Sequence, residues 1–149
     1  MFDIAFISGE PPHVGEGGWS GSWALIVLGE FKERFVAPTG WWRPADYETQ
    51  WLDGAHRLID GARESCFVAE AGRLWWTAWR DGARILVQQR LLVADSMAPG
   101  RNATAANLPY ELIGPRRTHS DDNQTVSEWS VTVSDLVAFV NRRPRPPAG

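Results

Sequence analysis

An Asp-Gly pair between two runs of β-prone residues constrains the fold of this chain more than any other feature. The pair, Asp81-Gly82, lies between residues 74–80, which carry three tryptophans, and residues 83–89. Both central residues of a type I′ turn need a positive φ, which Asp and Gly tolerate. The stretch therefore predicts an antiparallel hairpin with Asp81 and Gly82 as its two loop residues, and a fold rich in β-sheet.

The predicted loop also determines which hairpin residues lie opposite each other. Trp79 then faces Arg84, and Trp76 faces Val87. Because side chains alternate along a strand, one side of the hairpin is expected in the core and the other is expected to be partly wet. The core side comprises Leu74, Trp76, Ala78, Ile85 and Val87, and the wetter side comprises Trp75, Thr77, Trp79, Arg84, Leu86 and Gln88. On the wetter side, we expect Trp79 to stack on Arg84.

A helical pattern follows the first strands. Apolar residues recur at spacings of three and four, at Tyr47, Trp51, Ala55, Leu58 and Ala62. With Pro44 in the first turn, this pattern predicts one long helix over about residues 44–62. Ser134 is expected to cap a short C-terminal helix. The predicted fold class is α+β, a largely antiparallel twisted sheet with the long helix and the short C-terminal helix packed on it.

The length and composition fit a single domain. The chain has 149 residues, of which 44% are hydrophobic and 22% are charged, as is ordinary for a globular protein. We expect one α+β domain over residues 1–142 and a flexible Arg/Pro-rich tail over 143–149. Residues 94–114 carry little pattern, apart from an alternation of Leu108, Tyr110 and Leu112 that indicates a short strand.

Charge and cysteine content exclude several classes of protein. The formal charge of −3 argues against direct nucleic-acid binding, whereas residues 1–70, with five basic and eleven acidic side chains, suit a basic partner. The single cysteine, Cys66, excludes an internal disulfide, and its apolar neighbours predict that it is buried. No apolar run is long enough to span a bilayer and no signal peptide is recognisable, so we expect a cytoplasmic protein without membrane contact.

The sequence carries no familiar signature of catalysis, metal binding or cofactor binding. Its histidines lack metal-ligand spacing, and it contains neither a nucleophile elbow nor a phosphate loop. We therefore predict no catalytic residue, no metal and no cofactor. The most enzyme-like group is His119 with Arg116 and Glu128. We expect Glu128 to pair with Arg116 as a structural contact, and a small enzyme that uses these three residues is one alternative function.

Several short segments form a series along residues 41–140. The segments are Trp42 with Tyr47 and Gln50-Trp51, Ser65-Cys66, Trp75-Trp76, Val87-Gln88-Gln89 with Leu91-Leu92, Pro115-Arg116 with Thr118, and Ser127-Glu128-Trp129-Ser130-Val131 with Asp135 and Phe139. In order and spacing they resemble the immunity proteins of bacterial contact-dependent growth inhibition systems. The resemblance implies a non-catalytic cytoplasmic protein. Such a protein binds and neutralises the C-terminal toxin domain, often a nuclease, that a neighbouring cell delivers.

A basic nuclease would fit the acidic first half of the chain, which leads to six candidate toxin contacts. They are Asp46, Glu48, Asp53 and Asp60 on the long helix, and Trp79 and Arg84 on the hairpin. We expect Trp51, Trp75, Trp76 and Trp129 to lie in the core. Another alternative is a small-ligand or carbohydrate-binding domain that uses exposed tryptophans for stacking. A homo-oligomer is compatible with the sequence, but nothing in the sequence supports one.

Overall fold

The computed structural model describes residues 1–71, 73–91, 108 and 110–143, with the side chain of Leu112 left out. Its strands and α-helices are β1 (Phe2–Phe6), β2 (His13–Val14), β3 (Ser20–Leu28), β4 (Phe31–Pro38), α1 (Pro44–Ile59), β5 (Glu64–Glu70), β6 (Leu74–Asp81), β7 (Arg84–Leu91), β8 (Trp129–Thr132) and α2 (Val133–Arg142). The predicted α+β class is confirmed, with antiparallel strands, one long helix and one short C-terminal helix.

The strands form two antiparallel sheets. In sheet A, β4 pairs with β3 throughout residues 21–28, so β1 and β2 both lie on the other side of β3. Sheet B has the order β5-β6-β7-β8. The edges of sheet A are therefore β1 and β4, and the edges of sheet B are β5 and β8.

The hairpin is present as β6 and β7, but its predicted turn and register are wrong. Asp81 pairs with Arg84 across Gly82 and Ala83, so Trp79 does not face Arg84. Of the two loop residues only Gly82 has a positive φ, of 63°, which fits a type II′ turn with Gly in its first position. The register differs from the predicted one by two residues. Because side chains alternate with a period of two, the predicted faces are kept.

The main core lies between the two sheets. The Phe2 ring of β1 lies 4.8 Å from the Phe67 ring of β5 and 5.0 Å from the Phe139 ring of α2, measured between centroids. The Phe31 ring of β4 stacks on Trp129 of β8 at 4.2 Å. The core therefore joins both ends of the chain to its middle. The expected core residues Trp51, Trp75 and Trp76 are buried, and Trp129 is half-buried.

Most of the hairpin side that was expected to be partly wet is buried, so that prediction is wrong except at Arg84, which is exposed. Thr77 and Gln88 are each 1% exposed. Residues 110–117 lie over this side of the hairpin. Gln88 Nε2 donates a hydrogen bond to Arg117 O there, at 2.7 Å. The short strand predicted through Leu108, Tyr110 and Leu112 is also wrong, since Tyr110–Leu112 forms one turn of 3-10 helix.

The two helices differ slightly from the predicted ones. The long helix ends at Ile59 with Asp60 as its C-cap. The N-cap of α2 is Thr132 rather than Ser134, because the Thr132 hydroxyl accepts a hydrogen bond from Asp135 N at 3.0 Å. Residues 94–107 and the part of the predicted tail after Arg143 lie outside the described residues.

Helix α1 closes the outer edge of β5. The Gln50 amide donates Nε2–H to Cys66 O and accepts from Val68 N, both at 2.8 Å, so it replaces part of a neighbouring strand. Trp51 Nε1 donates to Val68 O at 2.8 Å. Gly54 permits this approach, because a Cβ there would lie 2.3 Å from Cys66 O. Edge groups that would otherwise be unpaired are therefore satisfied by side chains.

Candidate partner-binding surfaces

Three of the four predicted acidic contacts lie on one face of α1. Asp46, Asp53 and Asp60 are spaced by seven residues, about two helical turns, so neighbouring carboxylates are about 10 Å apart along the helix. Asp46 and Asp53 are half-buried and Asp60 is exposed. We call these three residues the acidic row. The row places three carboxylates along one side of the helix and its C-cap, and Arg43 pairs with the first of them.

The two ends of the acidic row differ in what they do for the helix. Asp46 Oδ2 accepts a hydrogen bond from Arg43 N at 2.8 Å, and the Arg43 guanidinium lies 3.7 Å away. A carboxylate at a helix N-terminus is stabilising. Asp60 lies at the opposite end, where the helix dipole disfavours negative charge. Helix stability therefore accounts for Asp46 but not for Asp60.

Glu48, the fourth acidic candidate, lies elsewhere. It is about 140° around the helix from Asp53, at the rim of a cavity of about 340 Å³ between β1, α1 and α2. Partial burial raises the pKa of Glu48, against a smaller opposite effect from the charge of Arg143. The structure thus brings three of the acidic candidates together and separates the fourth.

The two hairpin candidates are also separate, and the predicted stack between them is wrong. Trp79 is 8% exposed and donates Nε1–H to Gly114 O at 3.0 Å. The guanidinium over its ring, 4.8 Å from the centroid, belongs to Arg90. Burial lowers the pKa of Arg90. Arg84 is exposed and pairs with Asp81 at 3.2 Å.

The predicted pair between Arg116 and Glu128 is confirmed. Arg116 Nη2 lies 2.6 Å from Glu128 Oε1, and a second hydrogen bond joins Arg116 Nε to Oε2. Gln88 Nε2 donates to Oε2 at 2.8 Å. Arg116 above all, and Gln88 to a lesser degree, hold the pKa of Glu128 below its usual value. Both oxygens accept hydrogen bonds, so the pair anchors its loop to sheet B. His119 is exposed, with Nδ1 3.1 Å from Thr118 Oγ1.

An aromatic cluster on sheet A was not predicted. The Trp19 ring, 43% exposed, lies 5.2 Å from His13, whose other neighbour is Trp23 at 5.7 Å. The Arg34 guanidinium covers Trp23 at 4.8 Å. Trp41, which is 60% exposed, comes two residues after Thr39, whose backbone N–H donates to Ser20 O. In the sequence, the glycine-rich stretch over residues 8–21 could have indicated these exposed tryptophans, because few of its side chains are large enough to cover one.

The described residues offer neither a metal-binding group nor a membrane-spanning helix. Across residues 1–71, 73–91, 108 and 110–143, no group of three or more His, Cys, Asp and Glu side chains is placed to hold a metal ion. In the same ranges no helix has the length and apolar character needed to cross a membrane. Cys66 is buried, as predicted, and burial raises the pKa of its thiol.

The fold and the surfaces define a class: a two-sheet α+β domain with acidic residues along one helix, an aromatic cluster and a cavity between β1 and the two helices. The chain belongs to the family described as the CdiI N-terminal domain, whose model matches residues 37–139. The predicted resemblance to immunity proteins of contact-dependent growth inhibition systems is thereby confirmed.

Two similar proteins extend this match over almost the whole chain. The immunity protein CdiI of Enterobacter cloacae is 23% identical over 146 residues, which cover 93% of this chain and 96% of that protein. A chain in the solved CdiA-CT/CdiI toxin and immunity complex from Enterobacter cloacae has a TM-score of 0.78 at 19% identity. That alignment covers 95% of this chain and 97% of the other. The structural likeness shows that the two share a fold.

Proposed function

We propose that this protein is a cytoplasmic immunity protein that binds the toxin domain of its own growth inhibition system and neutralises it without catalysing a reaction. The observation that carries the proposal is the family match over residues 37–139, which the alignment with an immunity protein extends to 93% of the chain. The similar solved structure is a toxin and immunity complex, which supports a toxin domain as the partner.

The proposed toxin is a nuclease with a basic surface. A nuclease presents cationic groups to the phosphates of its substrate, and the acidic row offers them complementary charge. Such complementarity raises the association rate more than it slows dissociation. Asp60 supports this proposal, because the helix dipole gives no reason for a carboxylate at that position.

The remaining candidates have separate places in this proposal. Glu48 and Arg84 are exposed and stay candidate contacts away from the acidic row. Trp79, which is 8% exposed, would act by holding Arg90 and Gly114 in place rather than by touching the partner.

Titration of the toxin domain of the same growth inhibition system tests the proposal. With the purified toxin acting on nucleic acid, we expect its activity to fall linearly and to vanish at one equivalent of this protein. Gel filtration should show a one-to-one complex. Full toxin activity in excess immunity protein, with no complex at micromolar concentration, would contradict the proposed function.

Charge reversal tests the acidic row separately. The double variant Asp53→Arg/Asp60→Arg should associate with the toxin about 10- to 100-fold more slowly at low salt, and the difference should shrink as salt is added. Glu16→Arg/Glu30→Arg changes the net charge equally at exposed positions outside α1. Equal association rates for the two double variants would exclude a specific role for the row while leaving the immunity function intact.

A further inference from the structure

Arg80, near the end of β6, ties the hairpin to the C-terminal end of α1. Its Nη1 donates to Leu58 O and, at 3.2 Å, to Ile59 O. Its Nε donates to Gly82 O at 2.9 Å. These bonds use three of the five N–H groups of the guanidinium. Because a helix leaves its last carbonyl groups without partners of its own, Arg80 satisfies groups at the end of α1 and joins them to the hairpin turn.

The same end of α1 carries Asp60 and a tight backbone turn. Ala62 N donates to Arg57 O at 2.9 Å. Gly61 N donates to Leu58 O at 3.2 Å, and Gly61 has a φ of 106°. This is a common way for a helix to end, with glycine in the left-handed region. The turn fixes the backbone after Asp60, and the hairpin guanidinium fixes the helical turn before it.

The carboxylate of Asp60 is left available for a partner. Asp60 is exposed, and within the described part of the chain its carboxylate forms no ion pair and accepts no hydrogen bond. Asp46, by contrast, is held by Arg43. The end of a helix disfavours a carboxylate and favours a cation. Arg80 therefore offsets the unfavourable position of Asp60 and leaves its oxygens open to a cationic group of another molecule.

We propose that Arg80 is a positioning residue for toxin binding. It holds the last turn of α1 so that the Asp60 carboxylate faces a lysine or arginine side chain of the toxin, and it acts on binding only through Asp60. The inference rests on the proposed immunity function. It adds to that function a residue that does not itself contact the toxin.

The sign of the change in affinity separates positioning from a simple effect of charge. Loss of a cation makes the surface more negative, so charge alone would make Arg80→Ala bind a basic toxin more tightly. Positioning predicts the opposite, a dissociation constant about tenfold higher. Isothermal titration calorimetry with the toxin domain measures it. Tighter or unchanged binding by Arg80→Ala would overturn the inference.

Arg63→Ala is the matched control for the lost charge. Arg63 is exposed, its backbone oxygen accepts from Arg80 N at 2.9 Å, and its guanidinium forms no ion pair or hydrogen bond within the residues that the structure describes. This variant should bind the toxin at least as tightly as the unchanged protein. A loss equal to that of Arg80→Ala would contradict a specific role for Arg80.

A double-mutant cycle separates positioning from a general loss of structure. Arg80→Ala is compared in the unchanged protein and in an Asp60→Asn background, where its effect should shrink to less than about twofold. An equal loss in both backgrounds would show that Arg80 does not act through Asp60. Full affinity of Asp60→Asn alone would exclude the contact. Either result overturns the inference and leaves the immunity function intact, whereas the absence of any complex overturns both.

Arg80→Lys keeps the test valid if Arg80→Ala does not fold, which circular dichroism shows. Lysine keeps the charge, but its single ammonium group does not reproduce the planar fork that joins the end of α1 to Gly82 O. We expect Arg80→Lys to bind more weakly than the unchanged protein, and only when Asp60 is present. Affinity equal to that of the unchanged protein would overturn the inference, since charge alone would then suffice.

Discussion

The outer edges of β5 and β1 are covered in different ways. At β5, the side chains of Gln50 and Trp51 satisfy three backbone groups, belonging to Cys66 and Val68. At β1, Arg142 donates to Phe2 O, the Phe139 ring packs on the Phe2 ring, and Ile4 is only 1% exposed. One edge is closed by buried hydrogen bonds from a helix, and the other is covered by apolar packing and one partly buried hydrogen bond.

This difference predicts different costs for losing one side chain at each edge. An open strand edge is a liability, since it can pair with any extended chain. The hydrogen bonds from α1 remove that liability at β5 and fix α1 against sheet B. Substitutions that remove these buried hydrogen bonds should therefore reduce folding stability strongly, whereas loss of the partly exposed Arg142 at the β1 edge should reduce it less.

The largest effect is expected for Gln50→Leu at the sealed edge. This change leaves Cys66 O and Val68 N buried without their partner, and each such group costs about 1–3 kcal/mol. We expect the free energy of unfolding to fall by about 3 kcal/mol. Urea unfolding followed by tryptophan fluorescence measures it.

The matched change at the β1 edge is Arg142→Ala, which removes the donor to Phe2 O. Because water can replace an exposed guanidinium, the free energy of unfolding should fall by only about 0.5 kcal/mol. Equal losses for Gln50→Leu and Arg142→Ala would break the contrast between the two edges.

Gly54→Ala should reduce the free energy of unfolding by a smaller amount. The sign of this change is informative, because the same replacement is usually stabilising in a helix. In an exposed helix this replacement stabilises by up to about 1 kcal/mol. Here the new Cβ would meet Cys66 O at 2.3 Å, so α1 must move away from β5. We expect a loss of about 2 kcal/mol, the range of an overpacked core. Faster alkylation of the Cys66 thiol in the folded variant would show the movement directly, and a gain in stability would refute the tight approach.

The smallest effect concerns α2, which packs beside β1. The backbone N–H of Thr132 donates to Asp135 Oδ2 at 2.9 Å, and this hydrogen bond is the main cause of the lowered pKa of Asp135. A lowered pKa in the folded state means that ionised Asp135 stabilises the protein above its unfolded pKa, and that this contribution is lost as the pH falls through the folded value. Asp135→Asn should cost about 1 kcal/mol at pH 7.

Unfolding experiments from pH 7 down to pH 2 check the Asp135 prediction. The difference between Asp135→Asn and the unchanged protein should shrink steadily below about pH 4, where the carboxyl group of the unfolded chain begins to be protonated. A difference that stays constant over this range would show that the charge of Asp135 does not hold the start of α2.

The sequence predicts those parts of the fold that local periodicity determines. The α1 stripe is correct because its residues repeat at helical spacing, and the hairpin faces are correct because a shift of two residues preserves them. The turn itself is not determined locally, because both Asp81-Gly82 and Gly82-Ala83 can form a two-residue loop. The burial of Gln88 depends on residues 110–117, which have no regular pattern.

The candidate surfaces also divide into features that the local sequence pattern predicts and features that depend on distant residues. The acidic row could be read from the seven-residue spacing of Asp46, Asp53 and Asp60. The same geometry already separates Glu48, five residues before Asp53, from that row. The cavity between β1 and the two helices could not be found in this way. It depends on which strands pair in sheet A and on α2, which follows β1 by more than 120 residues.

The meeting of β1 and α2 has a consequence for synthesis in the cell. The Phe2 and Phe139 rings touch, and Arg143 is bonded to Asp3, so the strand made first is held by the helix made last. A nascent chain still emerging from the ribosome lacks one side of its core until about residue 143 is free. A message cut short before α2 would therefore leave the cell without a working copy, even if most of the polypeptide had been translated.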